Sequence, residues 1–203
     1  MFFFERLGRT RFIASEHVGG AWNTSEQHIA PALGLLAHAI EADHAARRDE
    51  PLKIARISYD IFGTLPIDVV EIEVSVLHPG RTIELVEARL AHACRDAVLV
   101  RAWLLQAFDT PGIADTSFPP TVPPKVMGAW RPESVWPGGF VCAIEVRRAL
   151  VEPGRAASWV RTETALIKDE PVSPTASALG IVDIADGLAP RVPIDEIAFP
   201  MST

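Results

Sequence analysis

Cysteine is scarce. Cys94 and Cys142 are the only two in 203 residues, far apart and outside any metal-ligand spacing. That excludes a disulfide framework or a structural zinc site and fits a reducing cytoplasm. A basic run is also missing: 26 acidic residues outnumber 19 basic ones, for a net charge of −7. Nucleic acid and anionic membrane surfaces are therefore poor partners. No apolar run approaches the length of a membrane span. The N-terminus MFFFERLGRT has three aromatics but neither a basic n-region nor a long h-region, so no secretory signal is expected. The G-x-S-x-G elbow, the phosphate loop and the dinucleotide fingerprint are all absent, and no cofactor is expected.

What the chain does have is apolar material, 48% hydrophobic against 22% charged, enough for a packed core. Its length allows one large domain or two small ones. The stretch His28 to Ala46 (HIAPALGLLAHAIEADHAA) organises the rest. Ile29, Leu33, Leu36 and Ile40 repeat at helical spacing. Small residues fill the gaps, and charge waits until Glu41. Such a helix is wrapped on most sides. Pro31 fits the first helical position, where its missing N–H costs nothing, so the spacing predicts a helix over 31–47. Residues 24–30 then form an irregular lead-in with a capping box from Thr24 to Gln27.

Strands are predicted at 2–4 and 11–18 before the helix, and at 53–62, 68–77, 82–93 and 97–108 after it, the last four as a meander. Val70, Ile72, Val74 and Val76 alternate with Glu71 and Glu73, which marks a strand with one solvated face. Seven prolines between residues 110 and 139 cannot sit in a ladder, so this stretch reads as a linker, pinned to the body by Trp130 and Trp136. Two further strands, 140–150 and 157–168, and a helix from Pro174 to about Gly187, capped by Ser173, repeat the strand, strand, helix order. A lone hairpin with one helix buries too little to be stable alone. Residues 140–203 therefore extend the first sheet or await further strands.

Two sets of polar residues stand out. His38, Glu41 and His44 suggest a metal cluster, but the two histidines are six apart and diverge on a helix; a solvated helix end is the reading, and no metal site is expected. On the second helix Gly180, Asp183 and Gly187 fall at i, i+3 and i+7, with Asp186 beside them. An acid between two glycines lies in a small groove where a carboxylate can polarise water as a general base. Spacing alone favours the other reading, solvated acids near a helix end. At the first helix, Asn23 and His28 flank a start whose N–H groups can receive an acyl carbonyl or oxyanion; as a turn residue and a cap they need no ligand. Trp22, Trp103 and Trp159 read as packing residues.

Three segments, GAWNTSEQHIAPALGLLAHAIEA, HPGRTIELVEARLA and ASALGIVDIADGLAP, resemble the thioesterase-like superfamily, and within it the double-hotdog proteins related to type II acyl-CoA thioesterase. The resemblance implies an α+β hotdog fold, a long helix wrapped by a curved antiparallel sheet. Residues 1–109 would be one unit, 110–139 the linker, and 140–203 a second, incomplete unit. It implies acyl-CoA bound between units and hydrolysed by water. Asp183 matches the catalytic acid, while the accompanying Thr and Gln would come from strands after Thr203. Ile29-Ala30-Pro31 stands where relatives often carry a Gly-Gly pair. Asn23, His28, Gly180 and Gly187 are the corresponding substrate-binding candidates. The alternatives are a non-catalytic acyl-CoA or lipid-binding protein, and a structural chain that recruits a second copy or a complementing chain through its sheet edges.

Overall fold

The computed structural model of the chain describes residues 1–191. The end of the expected second unit, residues 192–203, lies outside the described residues, as does the side chain of Asp186. In chain order the elements are β1 (Phe2–Arg6), β2 (Arg11–Ala14), α1 (Ile29–Ala46), β3 (Lys53–Ile61), β4 (Val69–His78), β5 (Ile83–His92) and β6 (Arg95–Leu105). After them come β7 (Gly128–Trp130), the single turn α2 (Gly139–Cys142), β8 (Glu145–Glu152), β9 (Arg155–Arg161), β10 (Ala165–Ile167) and α3 (Pro174–Leu179), then a short 3₁₀ helix, Val182–Leu188.

One sheet of seven strands, in the order β10-β1-β2-β4-β5-β6-β3, curls around α1. Its pairings are antiparallel except for β10, which lies parallel to β1. Residues Ala30 to Ala37 of the helix are all buried, as the small and apolar side chains demand, and Ile40 joins them. Val70 and Ile72 on β4, Val86, Ala88 and Leu90 on β5, and Val98, Val100, Ala102 and Leu104 on β6 face it from the sheet. Burying each Val, Leu or Ile among them contributes roughly 1.5–3 kcal/mol, so this helix-on-sheet layer contributes substantially to stability.

The expected meander of four strands is corrected to three. The β4–β5 and β5–β6 connections are tight and fix those neighbours. The 62–68 connection is longer. It crosses the open end of the sheet beneath the start of α1, where Gln27 N–H donates to the Leu65 carbonyl at 2.7 Å. That crossing puts β4 beside β2 and sends β3 to the far edge against β6.

Three other expectations change. Helix α1 begins at Ile29, two residues before the predicted start, so Pro31 is its third residue; its missing N–H still costs nothing because the first turn has no intrahelical acceptors. The predicted strand 157–168 breaks after Arg161, and its last part, β10, joins the first sheet. The proline-rich segment contributes a strand, β7, which pairs with β8 and with β9 beyond it in a second, three-stranded sheet. Trp136 of the same segment is buried, and Arg148 lies 4.2 Å from the Trp130 ring.

Candidate active site

His28, not Thr24, caps α1. Its backbone is extended (φ −65°, ψ 133°), and its Nδ1 accepts a hydrogen bond from Ala30 N–H at 3.2 Å. The predicted capping box does not form. Gln27 instead donates Nε2–H to the Pro66 carbonyl at 2.7 Å, and Asn23 closes a local turn by accepting from Ser25 N–H and Oγ–H. Asn23 is exposed. The His28 ring stacks on Phe140, centroids 4.0 Å apart and planes 24° from parallel. Burial in that stack pushes the imidazole down to about 4, so it is neutral at pH 7.

The linker reaches the helix start because two glycines let it. Gly138 has φ +112°, a conformation side chains rarely adopt, and Gly139 abuts the backbone at Glu16 so closely that any side chain would collide. Phe140 N–H then donates to the Gly19 carbonyl at 3.0 Å. Trp136, on the same stretch, meets Trp22 edge-on at 4.6 Å. Trp22 itself is 62% exposed, so it packs at the surface and not in the core.

The predicted continuous helix 174–187 is broken. α3 stops at Leu179, Gly180 caps it, and Ile181 leaves helical geometry at φ −130° before the 3₁₀ turn begins. The cause is tertiary: a side chain on Gly34 of α1 would lie 2.6 Å from Gly180 Cα, so the two helices cross backbone to backbone. Gly180, Asp183 and Gly187 consequently do not share one helical groove. Gly180 sits at the crossing and also walls a cavity of about 280 Å³ with Phe3, Thr162, Thr164 and Ile181. Gly187 faces Trp136; a Cβ there would lie 3.5 Å from Nε1. Asp183 is half-buried in the first turn of the 3₁₀ helix, which packs against α1. Trp136 therefore links the segment carrying Asp183 to the loop that leads into α1.

The histidine pair at the other end of α1 is not solvated. His44 is 1% exposed; Leu52 N–H donates to its Nε2 at 2.9 Å, so Nδ1 carries the proton and donates to Glu84 at 2.9 Å. Glu41 accepts from Ser173 Oγ–H at 2.6 Å, and His38 lies 3.8 Å from Glu170. These residues fasten α1 to its surroundings. Spacing within one helix could not reveal partners on β5 or before α3. Reading the sequence put Gln27 in a capping box and residue 140 at a strand start, and so missed the Gln27–Pro66 bond and the His28–Phe140 stack; the signal within reach was Pro31 two residues after Ile29, which allows a cap at His28.

Residues 18–106 match the family model of the acyl-CoA thioesterase N-terminal domain. The match covers less than half of the chain and is a similarity to that domain. No curated protein matches the chain. Among solved structures, a hot dog fold protein of unknown function from Alicyclobacillus acidocaldarius superposes with a TM-score of 0.67 at 12% identity, over 94% of this chain and 69% of the other. A candidate thioesterase from Novosphingobium aromaticivorans gives 0.67 at 17% identity, over 91% and 74%. A candidate thioesterase II from Thermobifida fusca gives 0.60 at 16%, over 97% and 73%. At these identities the likeness is one of fold: the chain has the hotdog fold, α+β, with α1 as the wrapped helix. Each of these structures is longer than the present chain. Among the described residues no helix is long and apolar enough to cross a membrane.

Proposed function

We propose that the chain is an acyl-CoA thioesterase-like hydrolase that cleaves a fatty acyl or related thioester with activated water. Asp183 takes a proton from the water as its oxygen attacks the thioester carbon, and the CoA thiolate leaves from the tetrahedral intermediate. The start of α1, with Asn23 and His28, receives the thioester. Gly180 and Gly187 bound the substrate path on the side of the acid. One observation carries this reading: within a thioesterase-like hotdog, the turn bearing Asp183 packs against the same helix whose start would receive the thioester. The greater length of the solved neighbours supports a second unit that is only partly present here, its missing strands supplied by further chain or by a partner pairing with an outer strand such as β9.

Hydrolysis of acetyl-, octanoyl- and palmitoyl-CoA by wild type and Asp183→Ala tests the proposal. A general base contributes about 10²–10⁴-fold, so Asp183→Ala is expected to lose that much in kcat on the preferred chain length. Equal turnover would remove Asp183 from the mechanism.

A second reading, acyl-CoA binding without hydrolysis, has one observation in its favour. Of the first four N–H groups of α1, His28 gives its own to the Val18 carbonyl, Ala30's goes to the His28 ring, and Pro31 has none. Among the described residues Ile29 N–H alone is left for a carbonyl. Tight binding of octanoyl-CoA with no thiol release would favour this alternative.

A further inference from the structure

A start to α1 with one spare N–H is a poor oxyanion site, because such sites use converging donors. The missing donor must come from a side chain. We infer that the His28 imidazole supplies it: Nε2–H donates to the thioester oxygen beside Ile29 N–H, making His28 a catalytic residue in its own right. This rests on the hydrolase reading above and deepens it.

The tautomer follows from the cap. Ala30 N–H donates to Nδ1, so Nδ1 is unprotonated, and in a neutral ring the proton is on Nε2. Burial keeps the ring neutral at working pH. Among the described residues Nε2–H has no hydrogen-bond partner, although the stack on Phe140 and the cap hold the ring in place. The ring is thus a preorganised donor, and a neutral one can stabilise a developing oxyanion without giving up its proton. The preceding residue carries a second unmet group. Gln27 is 8% exposed, its Nε2–H is committed to Pro66, and its Oε1 is buried without a partner. The approach to α1 therefore carries, on adjacent residues, a donor without a partner among the described residues and a buried acceptor without one.

Two substitutions separate catalysis from capping. In His28→Asn the side-chain oxygen still caps the helix, since Asn is a good N-cap, but the Nε2–H is gone. In His28→Gln an amide N–H returns to about the place of Nε2. With octanoyl-CoA, His28→Asn is expected to lose about 10²–10³-fold in kcat with KM changed less than about threefold, while its Tm stays close to wild type. His28→Gln should recover about tenfold of that loss. An active wild type with His28→Asn retaining full kcat would overturn the inference and leave the hydrolase reading intact.

Should wild type itself prove inactive, the hydrolase reading fails, and nitrogen NMR of the wild-type ring decides about His28. The probe is the ketone analogue of octanoyl-CoA in which CH₂ replaces sulfur. A protonated Nε2 whose resonance moves on titration supports the donor role. A protonated Nδ1, or no movement, refutes it.

Discussion

Burial against Phe140 costs His28 its charge, and that cost is measurable. Its folded pKa lies near 4 and its ordinary value is 6.5. Between those values the unfolded chain binds a proton that the folded chain does not, so stability falls as pH drops from 6.5 towards 4. The slope from this one group is at most about 1.4 kcal/mol per pH unit. Urea unfolding of His28→Asn is expected to show a flatter curve across that interval; an unchanged slope would assign it to another group. His44, also in α1, contrasts with it. Both are histidines near a helix end, and sequence spacing treats such residues alike. Only the fold supplies Phe140 to one and the Glu84–Leu52 pair to the other.

The crossing of α1 and α3 decides what the second helix can be. Alanine at position 34 would improve helix propensity by about 1 kcal/mol. Its Cβ would, however, press within 2.6 Å of Gly180 Cα and 2.7 Å of the Ala176 carbonyl, where only backbone can yield. Overpacking of this kind costs typically 1–3 kcal/mol, and against rigid backbone the upper end applies. Gly34→Ala is therefore expected to destabilise by about 2 kcal/mol net, lowering Tm by about 4–8 °C. A rise in Tm would mean that the helices are not in backbone contact. The same crossing explains why the predicted helix to Gly187 was wrong: a tertiary contact ends α3 where periodicity runs on. Strands β4 to β6 were legible because alternation and tight turns are local. The place of β3 at the far edge and the parallel pairing of β10 with β1 were not, since both depend on which distant strand is available.

At the scale of the molecule, two carboxylates join distant parts of the chain. Arg47 hydrogen-bonds Glu84, and Arg6 hydrogen-bonds Glu170, each holding its carboxylate below the usual 4.5. Their contribution is complete above that value and is lost as pH falls through the depressed folded values. Glu84→Gln should accordingly lower stability at neutral pH and flatten the decline below pH 4.5, a window almost separate from that of His28. A decline in Glu84→Gln as steep as in wild type would remove this pair from acid unfolding. The hotdog architecture itself was legible, because a helix apolar on most sides followed by alternating strands admits few coverings. The assembly of the candidate site was not: Asp183, Trp136 and His28 lie far apart in sequence, and glycine contacts bring their segments together.

In the proposed reaction, water held by Asp183 attacks an acyl thioester. A single turnover of octanoyl-CoA in ¹⁸O-labelled water, with the protein in excess, tests it most directly. One labelled oxygen is expected in the released octanoate and none in Asp183. Unlabelled octanoate with label in the Asp183 carboxylate would mean that the acid attacks the thioester itself, and no turnover would mean that the chain does not hydrolyse it; either result would rule out attack by water held at Asp183.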